Sequence, residues 1–175
     1  MKVILIGYRA AGKSTVGQML AARLKIPLCD TDLLVEESLG LPVKEIVAWH
    51  GWDFFRALEK ETIRKLSRLG DCVIATGGGI VLDPENIDLL KQMGAIVWLN
   101  APLADIVERL QEDARTQASR PQFTEDNIVQ ETMALLKQRI PLYEQAAAVA
   151  INSAGKSALE IVDEIYQKLP QLSFH

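Results

Sequence analysis

The stretch Gly7-Tyr8-Arg9-Ala10-Ala11-Gly12-Lys13-Ser14-Thr15 constrains this chain more than any other, because it joins an apolar run, Val3-Ile4-Leu5-Ile6, to a helical pattern. The pattern G-x-x-x-x-G-K-S sets glycine at both ends of a loop that wraps a phosphate with its N–H groups turned inward, which a Cβ would obstruct. Lys13 then brings a point charge to the β- and γ-phosphates. The Ser14 hydroxyl falls at the start of the helix, where a magnesium ion bridging those phosphates is coordinated. The positive end of the helix adds to the attraction. Val16, Leu20, Ala21 and Leu24 share one face of that helix. Phosphate binding follows, but no reaction does: motors, switches, transporters and small-molecule kinases share this loop.

At 175 residues, the chain is expected to form one domain, 1–175, long enough for a sheet buried between helices. Short apolar runs near 2–6, 26–29, 72–76, 95–99 and 148–151 read as strands. Helical patterns lie near 14–24, 32–38, 42–49, 53–69, 84–93, 103–111, 125–146 and 156–168. Such alternation predicts an α/β fold with a parallel sheet covered on both faces. The helical residues between the second and third strands exceed a simple crossover and predict a small ligand-binding insertion, about 32–69. The segment about 112–124 lacks periodicity, carries Arg115 and Arg120, and reads as a mobile lid. A cationic lid suits phosphoryl transfer, which needs charge stabilised and water excluded.

A net charge of -4 with interspersed signs disfavours a nucleic-acid surface. Two cysteines, Cys29 and Cys72, sit in apolar strand-like runs without C-x-x-C spacing, which reads as buried reduced thiols in a cytoplasmic protein. No apolar stretch reaches the roughly 18 residues of a membrane span, and the run before Gly7 is too short for a signal peptide.

Further candidates follow the strands. Asp30 and Asp32 stand two apart, so in extended chain both carboxylates project to one side, toward the phosphate loop. One then holds magnesium through water while the other accepts or orients a substrate hydroxyl proton; the alternative is that one caps the helix over 33–38. Gly77-Gly78-Gly79 ends the third strand, which implies either a backbone that approaches a ligand closely or a plain turn. Arg56 and Glu59, three apart on a helix, are in reach of each other. Arg139 precedes Pro141, which removes a helical donor and predicts a bend there. Each arginine taken singly reads as a surface residue.

In order and spacing, Gly7 to Thr15, Cys29-Asp30-Thr31-Asp32, Phe55-Arg56-Ala57-Leu58-Glu59, Ala75-Thr76-Gly77-Gly78-Gly79, Arg120-Pro121 and Arg139-Ile140-Pro141-Leu142-Tyr143 are similar to the shikimate kinase family over essentially the whole chain. The resemblance implies a P-loop, nucleoside-monophosphate-kinase-like three-layer sandwich. Its five-stranded parallel sheet, order 2-3-1-4-5, has helices on both faces, a helical substrate-binding insertion and a mobile lid. The implied activity is transfer of phosphate from ATP, with Mg2+, to the 3-hydroxyl of shikimate, giving shikimate 3-phosphate and ADP on the route to chorismate and aromatic amino acids. By the same resemblance Gly7, Ala10, Ala11, Gly12, Lys13, Ser14 and Thr15 hold ATP, with Arg120 as the lid arginine and Arg115 near the adenine. Ser14 ligates magnesium and Asp30 joins through water. Asp32 is the base and contacts shikimate, Arg56 and Arg139 clamp its carboxylate, and Gly77, Gly78 and Gly79 lie against its ring hydroxyls. Glu59 orients an arginine. Lys13, Asp32 and Arg120 form the catalytic set, in a monomer without nucleic-acid or membrane partners. Ala10 stands where the family's loop often has glycine, and Gln122-Phe123 stand where leucines commonly follow Arg120-Pro121. Another acid-phosphorylating kinase of this fold, such as a gluconate kinase, is the alternative enzyme; a nucleotide-holding module without transfer is the alternative class.

Overall fold

Val3, Ile4, Leu5 and Ile6 are fully buried because the strand they form, β1 (Lys2–Ile6), lies at the centre of a parallel sheet. β2 (Leu28–Asp30), β3 (Cys72–Ala75), β4 (Ala95–Asn100) and β5 (Val149–Asn152) complete it in the order β2-β3-β1-β4-β5. In register, Leu5 lies beside Ala75 on one side and Val97 on the other. The computed structural model describes residues 1–112 and 128–172. The helices are α1 (Lys13–Leu24), α2 (Thr31–Leu39), α3 (Val43–Ser67), α4 (Pro84–Met93), α5 (Leu103–Glu112), α6 (Ile128–Ala146) and α7 (Ala158–Lys168).

Successive strand residues point to opposite faces, and both faces are apolar, so the sheet must be covered twice. Val3 and Leu5 pack with Val16 and Leu20 of α1, Ile106 of α5 and Ile161 of α7. Ile4 and Ile6 pack on the other face with Ile63 of α3, Leu90 of α4 and Tyr143 of α6. This is the expected three-layer sandwich. Between β2 and β3 the chain forms α2 and α3, with a small core of Val35, Val43, Ile46 and Phe55. Gly51 breaks α3 at φ 81 and ψ 171, where the sequence reading separates two helices.

Local chemistry sets several boundaries. The Asp83 side chain accepts from Glu85 N at 2.9 Å to cap α4, and Ser157 with Glu160 forms a capping box at α7. Strand β2 falls two residues later than the apolar run suggests: Pro27 lends only its carbonyl, to Val73 N at 2.9 Å. Pro141 lies inside α6 and does not end it. Ile140, Leu142 and Tyr143 all pack on the core, and that burial offsets the roughly 3 kcal/mol cost of an interior proline. Among the described residues no helix is long and apolar enough to cross a membrane.

Cys29 and Cys72 occupy the neighbouring strands β2 and β3; Cys72 is buried as expected, whereas Cys29 is only half-buried. Burial pushes both thiols up, Cys72 from 9.0 to about 11. At pH 8 its thiolate is therefore about 100-fold scarcer than that of a free cysteine. Cys72 of the folded chain should react with an aromatic disulfide reagent slower by that factor, with full reactivity returning in denaturant. Fast labelling of the native chain would contradict the burial.

Candidate active site

The phosphate loop bridges β1 and α1 at the carboxyl edge of the sheet. Gly7 takes φ 144 and Gly12 φ 91, conformations that favour glycine, and a Cβ on Gly7 would lie 2.6 Å from the Leu99 carbonyl oxygen. Ala10 also takes a left-handed φ, 59, so the alanine at this position carries strain that a glycine would lack. Lys13 Nζ donates to the carbonyls of Gly7 at 2.9 Å and Tyr8 at 2.7 Å, which puts its charge in the bowl of the loop. The Ser14 hydroxyl donates to Asp30 Oδ2 at 2.7 Å.

Asp30 and Asp32 do not keep the extended spacing. Asp30 ends β2 and caps α2, its Oδ1 accepting from Asp32 N at 3.1 Å and Leu33 N at 3.4 Å. The helix begins at Thr31, so Asp32 already lies in its first turn and the two carboxylates divide their tasks. Asp30 belongs to the loop side beside Ser14, whereas Asp32 lines an adjoining pocket. Capping and a place at the phosphate loop, alternatives in the sequence, are both true of Asp30.

That pocket lies between the phosphate loop, α2, α3, the triple-glycine turn and α6. Arg56, Arg139 and Arg9 supply cations to its wall, and Val43, Trp52 and Phe55 supply apolar surface. Arg56 Nη1 donates to Glu59 Oε2 at 2.6 Å, and the guanidinium also lies 5.4 Å from the Trp52 ring centre and 5.3 Å from that of Phe55. Glu59 is fully buried, so it orients Arg56 from within the fold. Arg139 is 9% exposed, not the surface arginine that it reads as when taken singly. Its Nη1 donates to the Gly78 carbonyl at 3.2 Å, an oxygen that also accepts from the Tyr143 hydroxyl at 2.5 Å. Burial pushes the Tyr143 phenol up, which keeps that donor protonated. The Nε of Arg139 is buried without a hydrogen-bond partner, and no described carboxylate forms an ion pair with this residue.

The three glycines are required by space. A Cβ on Gly77 would lie 2.5 Å from Asp32 Oδ1 and 2.8 Å from Glu59 Oε1, and one on Gly78 would lie 2.9 Å from Arg9 N in the phosphate loop. One on Gly79 would run into the Arg56 guanidinium. The turn lets three site side chains and the loop close on one point; Gly77 N also donates to Thr31 Oγ1 at 3.0 Å. Because the atom in conflict at Gly79 ends a flexible side chain, Gly79→Ala should fold normally and displace only Arg56. Acceptor KM is then expected to rise roughly tenfold with ATP KM unchanged; steady-state kinetics with each substrate varied would check this, and an unchanged acceptor KM would remove Arg56 from the site.

The structure brings Lys13, Ser14, Asp30, Asp32, Arg56, Gly77, Gly78, Gly79 and Arg139 around one cleft. Arg115, Arg120 and nearly all of the expected lid lie outside the described residues. Sequence reading missed Arg109, whose Nη1 donates to the Ala10 carbonyl at 3.2 Å from α5, and it missed Tyr8, Arg9 and Tyr143. Arg109 offers no signal in sequence, since only the placement of α5 sets it against the loop.

A phosphate loop that opens on a small cationic pocket, on this sheet order, defines a P-loop kinase of the nucleoside-monophosphate-kinase-like fold. A family model described as shikimate kinase matches residues 9–170, and the chain belongs to the shikimate kinase family. It is 42% identical to the shikimate kinase of Syntrophus aciditrophicus (strain SB), over 99% of this chain and 93% of that one. With the shikimate kinase of Geobacter metallireducens it shares 40% identity over 93% of this chain and 88% of the other. Among solved structures it resembles the shikimate kinase from Acinetobacter baumannii in complex with shikimate. The TM-score is 0.91 at 30% identity, covering 97% of this chain and 93% of that one.

Proposed function

We propose that this chain transfers the γ-phosphoryl group of ATP to the 3-hydroxyl of shikimate, giving shikimate 3-phosphate and ADP. The observation that carries the reading is Arg139: a buried guanidinium with a spare Nε donor, in the pocket wall, beside the Gly78 carbonyl. Burying such a charge is costly unless an anion meets it, and a small carboxylate fits a fork of two N–H donors. Arg56 supplies the second guanidinium. Asp32, on the same wall, receives the hydroxyl proton as the oxygen forms its bond to the γ-phosphorus and the bond from that phosphorus to the β-bridging oxygen breaks, the electron pair leaving with ADP. Lys13 and the loop N–H groups hold the phosphates. In-line alignment and fixed charge supply most of the rate.

Magnesium suits the loop, because Ser14 Oγ and Asp30 Oδ2 are hard oxygen donors 2.7 Å apart and this ion usually needs only one or two protein ligands. When bound it neutralises phosphate charge. Residues 32–69 act as the acceptor-binding insertion, since Asp32, Arg56 and Glu59 all come from it. Arg120 reaches the phosphates from the lid over 112–124, Arg115 lies near the adenine, and the protein works as a cytoplasmic monomer; these readings rest on the family resemblance. The acceptor is tested by ADP release in a coupled assay with saturating Mg-ATP and either shikimate or gluconate. Turnover is expected with shikimate alone, and its absence would overturn the assignment.

A further inference from the structure

Arg9 occupies a phosphate-loop position where G-x-x-x-x-G-K-S demands no particular side chain, yet it lines the acceptor pocket with Arg56 and Arg139. Its side chain is 12% exposed, and Glu131 of α6, itself 10% exposed, lies 4.0 Å from Nη2. The Tyr8 ring sits between two cations, with Arg9 Cζ 5.8 Å and Arg139 Cζ 5.6 Å from its centre. Tyr8 is 2% exposed, so this ring is a fixed support and not a loose surface contact. The backbone is fixed as well: a Cβ on Gly78 would come within 2.9 Å of Arg9 N.

The pocket wall therefore holds three guanidiniums, Arg9, Arg56 and Arg139; Glu59 is engaged with Arg56 and Glu131 stands beside Arg9, while Asp32 is the other carboxylate of the wall. Three guanidiniums converging on one wall raise the positive potential there, which favours an anionic ligand. We infer that Arg9 is an acceptor-specificity residue whose guanidinium meets the anionic group of the bound acid, so that the phosphate loop reads the acceptor's charge as well as holding the donor. The inference rests on shikimate being the acceptor. Arg9 stays with the pocket because Glu131 and the Tyr8 ring hold it there.

The test compares the parent chain with Arg9→Gln and Arg9→Lys, using shikimate and its uncharged methyl ester as acceptors and following the thermal midpoint of each protein. Arg9→Gln is expected to lower kcat/KM for shikimate about tenfold or more, chiefly through KM, because a charge-assisted contact is lost. The loss for the ester should be under about threefold, as befits an effect of charge. ATP KM should hold, and Arg9→Lys should recover part of the preference for the acid. Equal losses on both acceptors, a loss seated in ATP KM, or no loss at all would each overturn the role. Should Arg9→Gln fail to fold, Arg9→Lys decides: retained preference for the acid supports a charge role, and a preference lost with the charge still present refutes it. A parent chain inactive on shikimate sinks the acceptor assignment itself, a result distinct from an active parent that Arg9→Gln leaves unchanged.

Discussion

Asp32→Asn is expected to lower kcat about 1,000-fold while ATP affinity stays within about twofold, because a positioned base contributes roughly 10²- to 10⁴-fold and touches the donor only through the transfer itself. Asparagine keeps the shape of the side chain, so the pocket and the Gly77 turn against which Asp32 packs should survive. What it loses is the negative charge and the capacity to take the hydroxyl proton. Asp30, which caps α2 and accepts from Ser14, stays in place, so the donor half is untouched. Steady-state kinetics with a separate ADP titration separates the two halves. Loss of nucleotide affinity comparable to the loss of kcat would assign Asp32 to the donor site.

Arg139→Ala should raise the shikimate KM about 100-fold, the loss expected when a buried hydrogen-bonded charge no longer meets a carboxylate. The change also leaves the Gly78 carbonyl with Tyr143 as its one remaining side-chain donor among the described residues, so some thermal stability should be lost. A purely structural arginine would lower stability without a selective change in KM. Arg139→Lys should restore the charge but not the two-pronged geometry, and recover only part of the affinity. ATP KM is the internal control. An unchanged shikimate KM in a folded Arg139→Ala would leave Arg56 and Arg9 to hold the carboxylate.

The donor half was legible because its chemistry is local. Gly7, Gly12, Lys13 and Ser14 lie within eight residues, and the strand before them and the helix after them announce themselves by periodicity. The acceptor half was legible only in outline. Arg139 looks like any helical arginine beside a proline, and only the burial of α6 against the sheet makes it a pocket residue. Packing of Ile140, Leu142 and Tyr143 carries the same helix across Pro141. The triple glycine was visible, but its cause was not. It clears room for the side chains of Asp32, Glu59 and Arg56 and for the phosphate-loop backbone at Arg9, which come from three other segments of the chain. Arg109 and Arg9 carried no signal at all, because side chains contributed from the far end of a helix or from variable loop positions acquire meaning only from their neighbours.

By itself the sequence determined a parallel sheet covered on both faces, a phosphate loop at the end of its first strand, and Asp30 and Asp32 at the end of its second. These are set by short-range patterns: apolar period, turn glycines and caps, each complete within a few residues. Tertiary structure alone decided that Asp32 lines a pocket apart from Asp30, that Arg139 is buried with a donor to spare, and that three glycines let three side chains and the phosphate-loop backbone meet. Those outcomes depend on contacts between residues far apart in the chain, such as Glu59 with Gly77 and Arg139 with Gly78. Packing of whole elements sets such distances, and no local pattern encodes them.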